Sequence, residues 1–111
     1  MNYNNKKFTI VSSSKNSELS EKIIFHYKQT GKIITCNYKD GSIQIGNLIG
    51  LVDKDGSIHL SYHQINTDNQ IMTGTCVSTP EILKNGKIRL HEKWQWTSGD
   101  FSKGSSILEE V

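Results

Sequence analysis

The stretch that decides the fold is RLHEKWQWTSGD, residues 89 to 100. At the two-residue period of a β-strand, its large apolar residues fall on one face together with one carboxylate. The members of that face are Leu90, Glu92, Trp94 and Trp96. The opposite face is polar, and the stretch ends in Ser98-Gly99, a turn signal. We therefore predict a strand with one buried face, and the glutamate in line with both tryptophans is the first candidate for a functional residue.

Similar turn signals recur at short intervals along the whole chain. They are Thr30-Gly31, Asp40-Gly41, Asp55-Gly56, Asp68-Asn69, Asn85-Gly86 and Ser98-Gly99. Between them lie segments rich in β-branched and aromatic residues, which favour strands. These segments are 7–13, 23–29, 32–39, 42–52, 57–66, 70–79, 87–97 and 105–110.

These gaps are too short for crossover helices, so strands that follow one another in sequence should pair antiparallel. The predicted fold class is all-β, an antiparallel up-and-down meander of about eight strands that closes into a small barrel. Closure removes the exposed edges of the sheet. A chain of 111 residues forms a single domain, residues 1–111.

Two segments fit this pattern less well. In ELSEKIIFHYKQ, residues 18–29, one helical face would hold Leu19, Ile23, Ile24 and Tyr27, so a helical turn before the strand, or a short helix, stays open. We favour a strand. The only proline, Pro80, indicates that the strand of residues 70–79 ends there and that a wider connection follows.

The composition excludes several classes of protein. The 13 basic and 11 acidic residues give a net charge of +2, and no basic cluster predicts a nucleic-acid or membrane partner. The amino terminus, MNYNNKK, lacks the apolar run of a signal peptide, so we expect a cytoplasmic protein. In that compartment Cys36 and Cys76 should remain thiols.

Alternation assigns an inner face to each strand of the predicted barrel. That face comprises Ile23, Phe25, Tyr27, Ile34, Cys36, Tyr38, Ile43, Ile45, Asn47, Ile49, Ile58, Leu60, Tyr62, Gln64, Ile71, Thr73, Thr75, Val77, Leu90, Glu92, Trp94 and Trp96. The assignment stays open for segments 42–52 and 70–79, because apolar residues lie on both of their faces. Leu48, Val52, Met72 and Cys76 are the residues on the other side.

The inner set mixes aromatic rings with a few polar groups, which is typical of a ligand cavity rather than of a dry core. The predicted ligand-binding residues are Tyr27, Tyr38, Tyr62, Gln64, Glu92, Trp94 and Trp96. Glu92 has two interpretations. As a structural carboxylate, it accepts hydrogen bonds from a tyrosine or from an arginine such as Arg89, or faces water near the open end of the barrel. As a functional residue, it is a ligand anchor or a general acid/base.

No pattern predicts a catalytic residue, a metal site or a cofactor. His59 and His63 are four residues apart, which on a strand separates them by about 13 Å, too far to bind one ion together. Cys76 and the serines lie outside any nucleophile motif. Phosphate-binding and dinucleotide-binding glycine loops are also missing from the sequence.

Several segments resemble a family of small bacterial single-domain proteins, many of them labelled N-acetylglutamate synthase. They are FHYKQTG, GNLIG, SYHQIN, TGTCVSTPEIL and KIRLHEKWQWTSGD, and the resemblance covers Phe25 to Glu110. The family is similar in its strand pattern to the lipocalin and avidin class of small barrels, the calycins. The resemblance implies a calycin-like barrel and, through the label, an acetyltransferase. It implies no catalytic residue.

Three functions follow as hypotheses. The first is a non-enzymatic barrel that binds a small, partly aromatic or amphipathic molecule. The second is an enzyme, either the acetyltransferase of the label or an acid/base catalyst built on Glu92. For the acetyltransferase, no glycine-bearing loop at a helix start is present to hold the pyrophosphate of acetyl-CoA. The third is a structural or interaction domain whose interior is filled by its own side chains.

Overall fold

The described residues of the chain form nine antiparallel strands in one sheet. The computed structural model describes residues 1–17, 20 and 22–111. The strands are β1 (Lys7–Ser13), β2 (Ile24–His26), β3 (Lys28–Thr30), β4 (Ile33–Asp40), β5 (Ile43–Val52), β6 (Ile58–Asn66), β7 (Ile71–Ile82), β8 (Ile88–Trp96) and β9 (Lys103–Glu110). The described residues contain no helix, so none of them forms a helix that could span a membrane. The predicted fold class, an antiparallel all-β barrel, is confirmed.

The sheet follows the order β2-β1-β9-β8-β7-β6-β5-β4-β3. From β3 to β9 every neighbouring pair is consecutive in sequence, as in the predicted meander. The remaining links pair β1 with β9 and with β2. Because β2 and β3 lie at opposite edges of the sheet yet are consecutive in the chain, the sheet curls into a nearly closed barrel.

The barrel closes at Tyr27, where the strand predicted for residues 23–29 is divided in two. β2 pairs with β1, and β3 pairs with β4. Between them Tyr27 accepts a hydrogen bond from Asn5 N and donates one to Lys6 O, each 2.9 Å long. The prediction of one continuous strand was wrong here, because the chain changes partners at this residue. The helical alternative is wrong for residues 22–30, and Leu19 lies outside the described residues.

Tight turns connect the long central strands, as the dipeptides predicted. Asp53–Ser57, Asn66–Gln70 and Leu83–Lys87 share one pattern, in which the first backbone amide donates to the last carbonyl at 2.8 to 3.1 Å. The fourth residue of each turn has a positive φ, namely 87° at Gly56, 59° at Asn69 and 83° at Gly86. Glycine and asparagine tolerate this conformation best, which explains the sequence of these turns.

The predicted inner face of β5 is wrong beyond Ile43. Its register against β4 and β6 shifts next to Ile43, so one extra residue moves the following side chains to the other face. Ile45 and Ile49 are therefore exposed, and Asn47 is half-buried, where its amide donates to the Asn37 side chain. Gly46, Leu48, Gly50 and Val52 face inward instead.

The predicted inner face of β7 is also wrong. Ile71, Thr75 and Val77 are exposed and Thr73 is half-buried, whereas the buried residues of β7 are small. They are Gly74, Cys76 and Ser78. Small residues are needed on this face because large rings from β6 and β8 already occupy the barrel interior.

Pro80 lies within β7 rather than at its end. The strand continues to Ile82, and Pro80 is opposite Leu90 in the register with β8. The pairing of β7 with β6 stops at Ser78. Proline is tolerated here because β7 has only one neighbour beyond Ser78, as at the edge of a sheet.

The amino-terminal segment closes one end of the barrel. Tyr3 is fully buried and its ring packs against Phe8 and Tyr27, with centroids 6.3 and 6.4 Å away. Its hydroxyl donates to Gly56 O at 2.5 Å, and its amide donates to the Gln29 side chain. Burial raises the pKa of Tyr3 to about 12, helped by the negative charges of Asp53 and Asp55. Tyr3 therefore ties the first residues of the chain to the β5–β6 turn.

Tyr3→Phe should lower the free energy of unfolding by about 1 to 2 kcal/mol, because it leaves the buried Gly56 carbonyl without its donor. Urea denaturation would measure this loss. Tyr62→Phe is a suitable control, since the structure gives the Tyr62 hydroxyl no hydrogen bond to any described residue. An equal effect of both substitutions would show that the Tyr3 hydroxyl contributes nothing specific.

Candidate functional site

The barrel interior contains a cavity of about 60 Å³. Among the described residues, side chains from eight strands line it, together with Tyr27 at the β2–β3 joint and Ser17. They are Ile10, Ser17, Phe25, Tyr27, Tyr38, Leu48, Leu60, Tyr62, Gln64, Cys76, Glu92, Trp94, Trp96, Ser106 and Leu108. Pockets for drug-sized ligands hold about 300 to 1,000 Å³, so this cavity fits only a few heavy atoms.

All seven residues predicted to bind a ligand line this one cavity. They come from β4, β6 and β8 and from the β2–β3 joint, so the barrel brings together residues that are far apart in sequence. The predicted face of β8 is correct, since Leu90, Trp94 and Trp96 are buried while His91, Lys93 and Gln95 are exposed. The role of the seven residues in binding stays a prediction.

Glu92 lies midway along β8, lines the cavity and is densely surrounded by protein, although part of its surface stays accessible. Ser78, opposite Glu92 in the register with β7, donates a short hydrogen bond from Oγ to Oε2. The Cys76 thiol lies 3.9 Å from Ser78 Oγ. These three side chains form one polar cluster, of which Cys76 and Glu92 line the cavity.

Burial raises the pKa of Glu92 from 4.5 to about 7. The hydrogen bonds from Ser78 and Cys76 act in the opposite direction and offset only part of this effect. Burial also raises the pKa of Tyr27, Tyr62 and Cys76 well above their ordinary values, and the charge of Glu92 adds to each shift. Glu92 is therefore the group of this cluster that changes charge near neutral pH.

The predicted pairing of Glu92 with a tyrosine or with Arg89 was wrong. Arg89 faces outward and binds Glu109 through Nε and NH2 at 2.9 and 2.7 Å. It also lies 3.7 Å from Glu81, whose Oε1 accepts a 2.8 Å hydrogen bond from His91 Nε2. Arg89 lies three residues before Glu92 and therefore points to the opposite, outer face of β8, so it cannot reach the cavity.

A second polar group of the cavity lies near the end of the barrel opposite Tyr3. Tyr38 donates from its hydroxyl to Gln64 Oε1 at 2.7 Å, and both side chains are buried. Trp94 Nε1 donates to Ser106 Oγ at 2.9 Å, while Trp96 Nε1 donates to Asn16 O at 3.3 Å. The polar groups of the cavity wall are thus separate from one another, and apolar side chains lie between them.

Three aromatic rings of the wall pack closely against glycines of the neighbouring strand. Tyr38 is opposite Gly46, Tyr62 is opposite Gly74, and Trp94 is opposite Gly104. A Cβ added at these glycines would lie 2.2 to 2.3 Å from the facing ring, much closer than any real contact. Because glycine has no side chain, each ring can pack directly against the backbone of the neighbouring strand.

Sequence reasoning missed several lining residues. Leu48 and Cys76 were assigned to the outer face because of the incorrect phases of β5 and β7. Ile10, Ser106 and Leu108 belong to β1 and β9, whose period-two alternation would have revealed them. Ser78, the hydrogen-bond partner of Glu92, carried no signal because its contact depends on the register of two strands.

The four histidines lie apart from the cavity. His59, His63 and His91 are exposed on the outer face of the sheet, and His59 contacts Asp53 Oδ2 at 3.1 Å. In the described part of the chain no group of three or more potential metal ligands lies together. Cys36 and Cys76 are separate buried thiols, and burial raises the pKa of Cys36 to about 11.

Comparison with known proteins gives one match. The family model of the avidin-like proteins matches residues 1–111, the whole chain. The chain belongs to the avidin-like protein family. No curated protein and no solved structure matches it. The similarity to the avidin class of barrels that the sequence indicated is confirmed, whereas the N-acetylglutamate synthase label finds no support for this avidin-like protein.

Proposed function

We propose that this protein is a small-molecule-binding barrel whose ligand occupies the interior cavity. The observation that supports this best is the composition of the cavity wall, in which seven residues selected from sequence alone meet around one space. The wall is mainly aromatic and aliphatic, with polar groups at Glu92 and Gln64 that can orient a bound molecule. This is the composition of a ligand site rather than of a dry core. Membership of the avidin-like family agrees with it.

The cavity volume limits what can bind. A space of about 60 Å³ admits a small molecule or one end of a larger one. A larger ligand requires the rings of Tyr62 or Trp96 to move from their present contact, in which the centroids are 5.6 Å apart. The small volume also favours the alternative that the interior is filled only to support the fold, and a binding experiment separates the two.

The test uses two variants at adjacent positions of β7 that face opposite sides. Cys76→Leu places a longer side chain in the cavity, whereas Val77→Leu adds the same side chain on the outer surface. Small amines, amides, alcohols and acids would be screened against the wild type by thermal shift and by the fluorescence of the two tryptophans. A ligand present at 100 times its Kd should add about 2.7 kcal/mol to the stability of the folded protein.

We expect at least one compound to bind the wild type and Val77→Leu equally and to lose its effect in Cys76→Leu. Because Cys76→Leu could disturb packing, its fold would be checked by circular dichroism, and Ser106→Val would serve as a second cavity variant. Failure of every compound to bind, or equal binding to all variants, would reject the cavity as the ligand site.

A further inference from the structure

The charges around the cavity are strongly one-sided. Among the described residues that line it, Glu92 is the one acidic side chain, and none is a lysine, arginine or histidine. In the described part of the chain none of the ion pairs includes Glu92. A carboxylate in such a place is normally paired with a positive group, because an isolated buried charge is costly. Among the described residues, the donors to Glu92 are the hydroxyl of Ser78 and the weak thiol donor of Cys76.

Aromatic rings surround the same space. Tyr27, Tyr62, Trp94 and Trp96 all line the cavity. The Trp94 and Trp96 rings meet edge to face with centroids 6.0 Å apart, and Tyr62 meets Trp96 in the same way. The faces of such rings carry negative electrostatic potential and attract cations, with tryptophan the strongest. Two of these rings, those of Tyr62 and Trp94, pack directly against the backbone of Gly74 and Gly104.

We propose that the ligand of this cavity carries a positive charge, specifically a small protonated amine held between the Glu92 carboxylate and the aromatic rings. This inference rests on the proposed function and adds the chemical class of the ligand. Ser78 donates to Oε2 of Glu92, and because a carboxylate has about four acceptor sites, it can still accept a hydrogen bond from the ammonium group beside those from Ser78 and Cys76. A negatively charged ligand would meet the carboxylate without any compensating cation.

Binding of an amine is then linked to the ionisation of Glu92. Burial raises the pKa of Glu92 to about 7, so part of the population is uncharged at neutral pH and must release a proton when an ammonium group binds. The other titratable groups that face Glu92 are Tyr27, Tyr62 and Cys76, and burial raises the pKa of each. They stay neutral over the range in which Glu92 titrates, so affinity should rise with pH between 5 and 8.

The test compares ethylammonium with ethanol, which have the same number of heavy atoms and differ in charge. Tryptophan fluorescence titrations at pH 8 should show that ethylammonium binds at least tenfold more tightly than ethanol. Glu92→Gln should weaken ethylammonium binding at least tenfold and leave ethanol unchanged. Glu81→Gln, the same substitution on the outer face, should change neither. Calorimetry in buffers of different ionisation enthalpy at pH 7 should detect proton release.

The outcomes separate this inference from the proposed function. If ethanol binds the wild type as tightly as ethylammonium, or if Glu92→Gln retains ethylammonium affinity, the positive charge is not what the site recognises and the inference fails. Whether the cavity binds a ligand at all is then decided by the comparison of Cys76→Leu with Val77→Leu. If ethylammonium does not bind at millimolar concentrations, the inference is likewise overturned.

Discussion

Replacing Glu92 with glutamine should stabilise the barrel by about 2 to 3 kcal/mol more at pH 8 than at pH 5. The folded protein holds the proton of Glu92 with a pKa of about 7, raised by burial from 4.5. The stability that Glu92 contributes is therefore fully present below pH 4.5 and is lost as the pH rises through 7. Glutamine keeps the shape and the hydrogen bond from Ser78 but cannot ionise, so it avoids that loss.

Urea denaturation of the wild type and of Glu92→Gln at several pH values from 5 to 8 would measure this difference. Glu81→Gln is the control with the opposite sign. Glu81 is exposed, and its hydrogen bond with His91 lowers the pKa of its carboxyl. Its substitution should slightly reduce stability above pH 5. Parallel stability curves for the wild type and Glu92→Gln would mean that Glu92 is ionised normally in the folded state.

Gly74→Ala should destabilise the barrel by about 3 kcal/mol, at the upper end of the range for overpacked cores. The new Cβ would lie 2.3 Å from Cζ of Tyr62, whose ring is in turn fixed against Trp96. To move away from the new Cβ, the ring would have to give up its present contact with Trp96. The melting temperature should fall by roughly 10 °C or more for a domain of this size.

A double-mutant cycle isolates the contact between this glycine and the ring. In a Tyr62→Leu background the facing ring is gone, so Gly74→Ala should cost much less there. Gly41→Ala is the matched control, since no atom lies within 4 Å of its new Cβ. It should change stability by at most about 0.5 kcal/mol. If Gly74→Ala lowers stability equally with and without the Tyr62 ring, the close packing of Tyr62 against Gly74 does not exist.

Sequence alone predicted the fold class and most strand positions, because turn dipeptides and period-two alternation are local signals. The bounds of β1, Lys7–Ser13, match the predicted segment at both ends. The bulge in β5 was invisible, since Gln44 and Ile45 are ordinary strand residues and the extra residue shows only in the register. The bent joint at Tyr27 was missed for the same reason, because a change of pairing partner depends on distant strands.

The candidate site was predictable where large side chains define it. Glu92 stood out because a carboxylate in line with tryptophans is unusual, and the structure places it in the cavity. The small inward residues of β7 were not predictable, because Gly74 and Ser78 carry no hydrophobic signal and face inward only to accommodate rings from β6 and β8. Volume complementarity between strands is a property of the assembled barrel and cannot be read from one segment.

The pairing of β1 with β9 determines how the protein would respond to a mechanical load. The two strands run antiparallel, and the last residue, Val111, donates from its amide to Lys7 O at 2.8 Å. Tension applied between the carboxyl terminus and the start of β1 acts at the same end of this pair. The strands would then separate from one end, with their hydrogen bonds breaking one after another rather than together in shear. A barrel pulled in this direction should open at low force, and it should resist far more strongly when pulled across β6 and β7 from opposite ends.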